Sequence, residues 1–319
     1  MRRLSTTISL LLALPLLGCS SGSSTSNPTG EEVQAAENAI SPDAFDTERA
    51  WQDLERIVGF GPRPANSPAL ERLRTYLEAE LAKAGIATSR ESFTDKTPIG
   101  EIPFTNLIAE LPGSSETTIV LGSHMDTKRL PFHFVGANDG GSSTALLLEL
   151  ARVLSAAETR PVSYRFVWFD GEESIRPDWT DDDSLYGSRH HVSELRRTGE
   201  ISKTKALILF DLVADADLSF ERDTNSDPSL LRLFVDTARS MGRPDLFSDY
   251  QREILDDHLP FMAAGIPSLD LIDLTYGRYN SYWHKAEDTL ENCSAEGLKT
   301  TAALFLAAQP ALEALALQP

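Results

Sequence analysis

Cysteine is nearly absent, with two residues among 319. One of them, Cys19, closes an amino-terminal apolar run, so Cys293 alone remains in the folded part and an internal disulfide is excluded. Positive charge is also scarce: 29 Lys and Arg stand against 48 Asp and Glu, a net charge of −19. A surface of that sign repels phosphate backbones, which excludes nucleic acid as a partner. No apolar run is long enough for a helix that spans a bilayer, and no repeat of fixed period occurs, which excludes solenoids and propellers. What is present is the composition of an ordinary globule, 41% hydrophobic and 24% charged. Disorder is thereby excluded as the main state, and the length allows one large domain or two small ones.

Residues 1–18 are not part of the fold. Arg2 and Arg3 precede an apolar stretch over 8–17, the pattern of a secretory signal. The stretch ends in Leu16-Leu17-Gly18-Cys19, which resembles a bacterial lipobox and implies cleavage before Cys19 and lipidation of that residue. Residues 19–44, rich in Ser, Gly, Thr and Asn over 20–30, read as a flexible tether because they have nothing to bury. The expected product is a lipoprotein of the bacterial cell envelope, on the periplasmic or extracellular side, that meets the membrane only through its lipid.

From residue 45 to 319 the pattern is that of one alternating α/β domain. Residues 67–85 carry Leu70, Leu73, Leu77 and Leu81 at helical spacing and stop at Gly85. Helices are likewise predicted over 142–157, 228–241 and 295–317, the last kinked or broken at Pro310. Short apolar runs at 106–111, 118–122, 162–169, 206–210 and 266–272 predict strands. Near-continuous apolar strands separated by helices imply a mostly parallel, twisted mixed sheet with helices on both faces, whose ligands gather at the carboxyl ends of the strands.

Chemistry-bearing residues follow those strands repeatedly. His124-Met125-Asp126 follows one apolar run, Asp170-Gly171-Glu172-Glu173 a second and Asp211 a third. Gly136-Ala137-Asn138-Asp139 precedes a helix, and Tyr282-Trp283-His284 comes after the last strand. One such Asp is a turn residue, but several acids and imidazoles converging on one sheet edge repel one another unless a cation sits among them. A His and carboxylate set without thiolate selects zinc, in a site that keeps a position open for substrate. On an extended strand end, adjacent Glu172 and Glu173 point opposite ways, so one can bind metal while the other serves as a general base.

Other segments are more selective. They are Asp183-Ser184-Leu185-Tyr186-Gly187-Ser188-Arg189-His190, Asp256-Asp257-His258-Leu259-Pro260-Phe261 followed by Gly265-Ile266-Pro267, the pair Trp283-His284, and Trp179 shortly after the Glu pair. With these, the span 51–317 is similar to the zinc-aminopeptidase-like clan and within it resembles the animal-type glutaminyl-peptide cyclotransferases (glutaminyl cyclases). The resemblance implies one zinc ion held by Asp139, Glu173 and His284, Glu172 as the proton-transfer residue, and Asp211 and Asp256 as acids in a hydrogen-bonded network beside it. It also implies Trp179 and Trp283 as aromatic walls of a narrow pocket, and peptides with an N-terminal glutamine as substrates, converted to pyroglutamate with loss of ammonia. Two departures stand out. Asp270 occupies the place of a family His, and the longer segment after Ile272 leaves open whether Tyr276 or Tyr279 lines the pocket.

The reaction suits these residues on chemical grounds. Attack of the α-amine on the γ-carboxamide is intramolecular, so no protein nucleophile is needed; what remains is to fold the side chain back and to move one proton. The competing reading is a two-zinc aminopeptidase, since His124, Asp139, Glu173, Asp211 and His284 fill all five metal positions of those enzymes and permit a second zinc at His124 and Asp211. A non-catalytic surface binding lipoprotein predicts eroded ligands, and Asp139, Glu172, Glu173 and His284 are all intact. His133, His190 and His191 read as exposed or structural, and His258 as a residue that orients backbone or the Asp256–Asp257 pair rather than binding zinc. Lys285, Glu287 and Asp288 are candidates for supporting the ligands from behind.

Overall fold

The apolar strands alternate between two cores, and this alternation builds the molecule. The computed structural model describes residues 39–180 and 182–318; the expected signal segment, Cys19 and the expected tether up to residue 38 lie outside them. Strands β1 (Thr88–Thr97), β2 (Gly100–Leu111), β3 (Thr118–His124), β4 (Ser163–Phe169), β5 (Thr204–Asp211) and β8 (Ser268–Ile272) form one sheet in the order β1-β2-β4-β3-β5-β8. β4, β3, β5 and β8 run parallel, while β1 and β2 add an antiparallel edge. A second, two-stranded sheet pairs β6 (Phe220–Asp223) with β7 (Phe247–Arg252). The result is the expected mixed sheet in a single α/β domain.

Period-two alternation assigns side chains to faces. Ile119 and Leu121 of β3, Phe166 and Trp168 of β4, and Ile208 and Phe210 of β5 enter one core. That core also holds α1 (Thr47–Val58), α2 (Pro68–Lys83), α3 (Ser143–Ser155), α5 (Pro228–Ser240) and α7 (Ala295–Ala316). Val120, Val167, Phe169, Leu207 and Leu209 enter the other, against Val192 and Leu195 of α4 (Tyr186–Thr198) and Phe261 of α6 (His258–Ala263). Helices therefore cover both faces, which leaves the carboxyl ends of the strands as the place for a ligand.

Four predicted helices and five predicted strands fall where expected, within a few residues except that β2 starts six residues before the predicted strand. α1, α4, α6, β1, β6 and β7 carry no predicted counterpart. β1 is an edge strand whose side chains are mostly exposed, so its sequence shows no apolar run. α7 is continuous through Pro310, so the helix is not broken there. Leu304, Phe305, Ala308 and Leu312 are buried on either side of the proline, and this packing holds the helix together across it.

Candidate metal centre and catalytic cavity

Parallel strands carry their carboxyl ends to one edge, and each end places a polar residue there. β3 ends on His124, β5 on Asp211, and β4 leads into Asp170 and the Glu pair. Asp139 arrives on an irregular turn over residues 137–142, just before α3. That turn needs glycine at 140, where φ is +71° and a Cβ would lie 2.7 Å from the Asp126 carbonyl and 2.8 Å from the His124 ring. His284 comes from the loop after β8 and adopts φ 53°, a left-handed conformation that a histidine pays for in strain and that marks functional sites.

Asp139 joins two clusters. His284 Nε2 lies 2.9 Å from Glu173 Oε1 and 3.2 Å from Asp139 Oδ2. On the other side, His124 Nε2 lies 3.3 Å from Asp139 Oδ1 and 3.2 Å from Asp211 Oδ1. In each triad, Asp139–Glu173–His284 and His124–Asp139–Asp211, one donor atom per residue falls within 4.8 Å of the others. Two carboxylates closing on one imidazole, buried at His124 and partly buried at His284, demand a positive charge. Burial opposes a proton on His284, yet Glu173 and Asp139 push its pKa up to about 10. Burial likewise opposes a charged His124, and Asp211, Asp126 and Asp139 override it. A cation meets the same demand, and an imidazole–carboxylate donor set without sulfur is the kind zinc takes, so the residues fit that metal.

Glu172 and Glu173 sit in the loop after β4 rather than on its extended end, and they still part company. Glu173 turns to His284, with Lys128 Nζ 3.3 Å from its other oxygen. Glu172 turns toward His124, 3.9 Å from Nδ1, and its backbone N–H donates to Asp126 Oδ1 at 3.2 Å. Burial first, then the charges of Glu173, Asp256 and Asp257, hold the Glu172 carboxyl well above the usual carboxylate range. Asp256 is raised in the same way, by burial and by Asp211 and Asp257.

These groups share a cavity of about 590 Å³ lined by Asp139, Glu172, Glu173, Asp211, Asp256 and His284 and walled by Trp179 and Trp283. The Trp283 ring stacks on His284 with centroids 4.1 Å apart. The Trp179 loop is tied down by Asp183, whose carboxylate accepts the Ile175 and Arg176 N–H groups and the Tyr186 hydroxyl. Neither tyrosine left open by the sequence lines the cavity. Tyr276 is buried and donates to Asp288, and Tyr279 is 88% exposed. His258 lies between Asp223, 3.1 Å from its Nε2, and Asp270, 3.8 Å from its Nδ1, so it serves those acids rather than the Asp256–Asp257 pair. His190 stacks on Phe93, His191 meets Glu91, and His133 is exposed.

Sequence reasoning missed Lys128, Arg252, Ile254 and Leu255 on the cavity wall. A lone lysine after a strand reads as solvated, and only the fold buries Lys128 to 3% exposure. It also missed Arg63, fully buried, which donates to the Val135 carbonyl at 2.5 Å and the Gly136 carbonyl at 3.1 Å and so holds the approach to Asp139.

Residues 106–309 match the model of peptidase family M28. Over 77% of its length the chain is 30% identical to the glutaminyl-peptide cyclotransferase of Drosophila melanogaster, covering 75% of that protein. The crystal structure of an Acidobacteriales bacterium glutaminyl cyclase superposes with a TM-score of 0.80 and 35% identity, covering 84% of this chain and 94% of that one. A Zn-dependent exopeptidase from Parabacteroides distasonis shares the fold, with a TM-score of 0.72 and 24% identity over 86% of this chain and 99% of that one. The chain belongs to peptidase family M28 and, within it, to the glutaminyl-peptide cyclotransferases.

Proposed function

We propose that this protein converts the N-terminal glutamine of peptides to pyroglutamate with release of ammonia, using one zinc ion at Asp139, Glu173 and His284. The observation that carries this reading is the division of labour between adjacent glutamates: Glu173 joins the Asp139–His284 cluster, while Glu172 keeps a partly buried carboxyl free in a cavity walled by Trp179 and Trp283. When bound there, the metal supplies a Lewis acid that polarises the γ-carboxamide oxygen. The tryptophans hold the folded glutamine side chain against its own amine and exclude water. As the amine nitrogen bonds to the carboxamide carbon, the Glu172 carboxylate takes the proton that the amine loses. Glu172 then returns it to the departing nitrogen as the carbon–nitrogen bond breaks, so that ammonia leaves and the carboxylate is restored. Asp256, close enough to raise the Glu172 pKa, keeps that carboxyl basic enough for the exchange.

A second reading rests on the His124–Asp139–Asp211 triad, which offers a second metal position. With two zinc ions the same Glu172 would serve a two-zinc aminopeptidase. Incubation of the zinc-loaded protein with a Gln-initiated peptide separates the two. Ammonia with an intact chain 17 mass units lighter, the mass of the ammonia lost, supports cyclisation; free amino acid supports the peptidase, and metal analysis of the same sample gives the stoichiometry.

We further propose that Cys19 anchors the mature protein to the cell envelope through lipid. The apolar run and the Leu-Leu-Gly-Cys sequence support it. Cys19→Ser should move the protein from the membrane to the soluble fraction; retention in the membrane overturns the anchor.

A further inference from the structure

Four residues beyond His284, the loop that carries this imidazole reaches the backbone beneath Asp139. Turns closed by Lys285 N–H to the Tyr282 carbonyl and Asp288 N–H to the Lys285 carbonyl carry the chain there. The Asp288 carboxylate, 1% exposed, accepts the N–H of Asn138 at 2.7 Å on Oδ1 and the N–H of Asp139 at 3.2 Å on Oδ2. The buried Tyr276 hydroxyl donates to Oδ1 at 3.1 Å and fixes the carboxylate from the far side. Asn138 Oδ1 accepts the Ala214 N–H at 2.8 Å, which ties the same turn to the segment after β5.

We propose that Asp288 is a positioning residue of the metal centre: it locks the Asp139 turn and the His284 loop into one rigid unit before the ion binds. This rests on the reading that Asp139, Glu173 and His284 hold zinc. The two ligands come from segments far apart in sequence, and the Asp139 carboxylate can face His284 only while its backbone is held. A bidentate carboxylate receiving two successive N–H groups holds both position and rotation of that backbone. An amide in its place has the same size but one acceptor oxygen, and its NH₂ would confront a backbone N–H.

The test is the zinc dissociation constant, measured by competition with a chromophoric chelator at a temperature well below unfolding, for the unaltered protein, Asp288→Asn and Tyr164→Phe. Tyr164→Phe removes a buried hydrogen bond to Glu313, outside the metal centre, and serves as the stability control. Asp288→Asn should weaken zinc about 10- to 100-fold, whereas Tyr164→Phe should lower the melting temperature and leave zinc affinity unchanged. Affinity of Asp288→Asn within about twofold of the unaltered protein, against that expected loss, overturns the proposal, as does an equal loss in Tyr164→Phe. Failure of the unaltered protein to bind zinc overturns the metal reading itself. Should Asp288→Asn not fold, Tyr276→Phe carries the test: a smaller weakening of zinc supports the clamp, and unchanged affinity overturns it.

Discussion

Glu172 and Glu173 differ only in what surrounds them, and a pair of isosteric changes reads that difference. Glu172→Gln keeps the size of the side chain and removes the proton acceptor. It should lower kcat by about 10² to 10⁴ with KM and zinc content little altered; zinc loss in this variant would place Glu172 among the ligands instead. A second single-residue prediction concerns Asp270, fully buried, with neither oxygen hydrogen-bonded by a protein group. Burial, then the charges of Asp256, Asp223 and Asp211, hold its pKa well above the usual value. The native state therefore keeps a proton that the unfolded chain has already lost. From the ordinary carboxylate range near pH 4 upward, this group makes stability fall as pH rises. Asp270→Asn removes that term, so the melting temperature of the variant relative to the unaltered protein should climb between about pH 4 and 8. Parallel curves would show that Asp270 is ionised without penalty.

Between elements, one arginine joins the three helices that back the sheet. Arg152 of α3 bonds Asp53 of α1, Glu149 of its own helix at 3.0 Å and Glu80 of α2 at 3.1 Å, while Arg49 of α1 reaches Glu149 at 2.6 Å. Removing the central cation leaves the buried Asp53 carboxylate without its cation, while Glu149 keeps Arg49. Arg152→Ala should therefore cost about 3–5 kcal/mol in urea unfolding, far more than a surface pair; a loss below about 1 kcal/mol would mean that water reaches the acids. α7 gives the opposite case. Pro310 removes one helical hydrogen bond without ending the helix, so Pro310→Ala should stabilise the protein by about 1–3 kcal/mol. Elements with a buried stripe, such as α2, β3 and β5, were legible in the sequence because burial imposes periodicity. β1 was not, since an edge strand with polar side chains on both sides gains its strandhood from its partner β2.

For the molecule as a whole, a core drawn from five helices and one face of the sheet should fold without metal, and zinc should add to its stability by linkage. Free zinc a thousandfold above its dissociation constant should stabilise the native state by about 4 kcal/mol, and chelation should abolish turnover while leaving a cooperative unfolding transition. A metal-free chain that does not unfold cooperatively would refute this. By itself the sequence determined the α/β class, the places of the central strands along the chain and the chemistry-bearing residues at their ends, because these depend on local periodicity and on residue types whose chemistry is scarce. Only the tertiary structure decided which residues meet. It divided the two glutamates between two imidazoles, buried Lys128 and Arg63, set His258 between Asp223 and Asp270, and brought Asp288 beneath Asp139. Such pairings join positions up to 150 residues apart; they arise when parallel strands align their carboxyl ends, and a distance in space of that kind leaves no period in the chain.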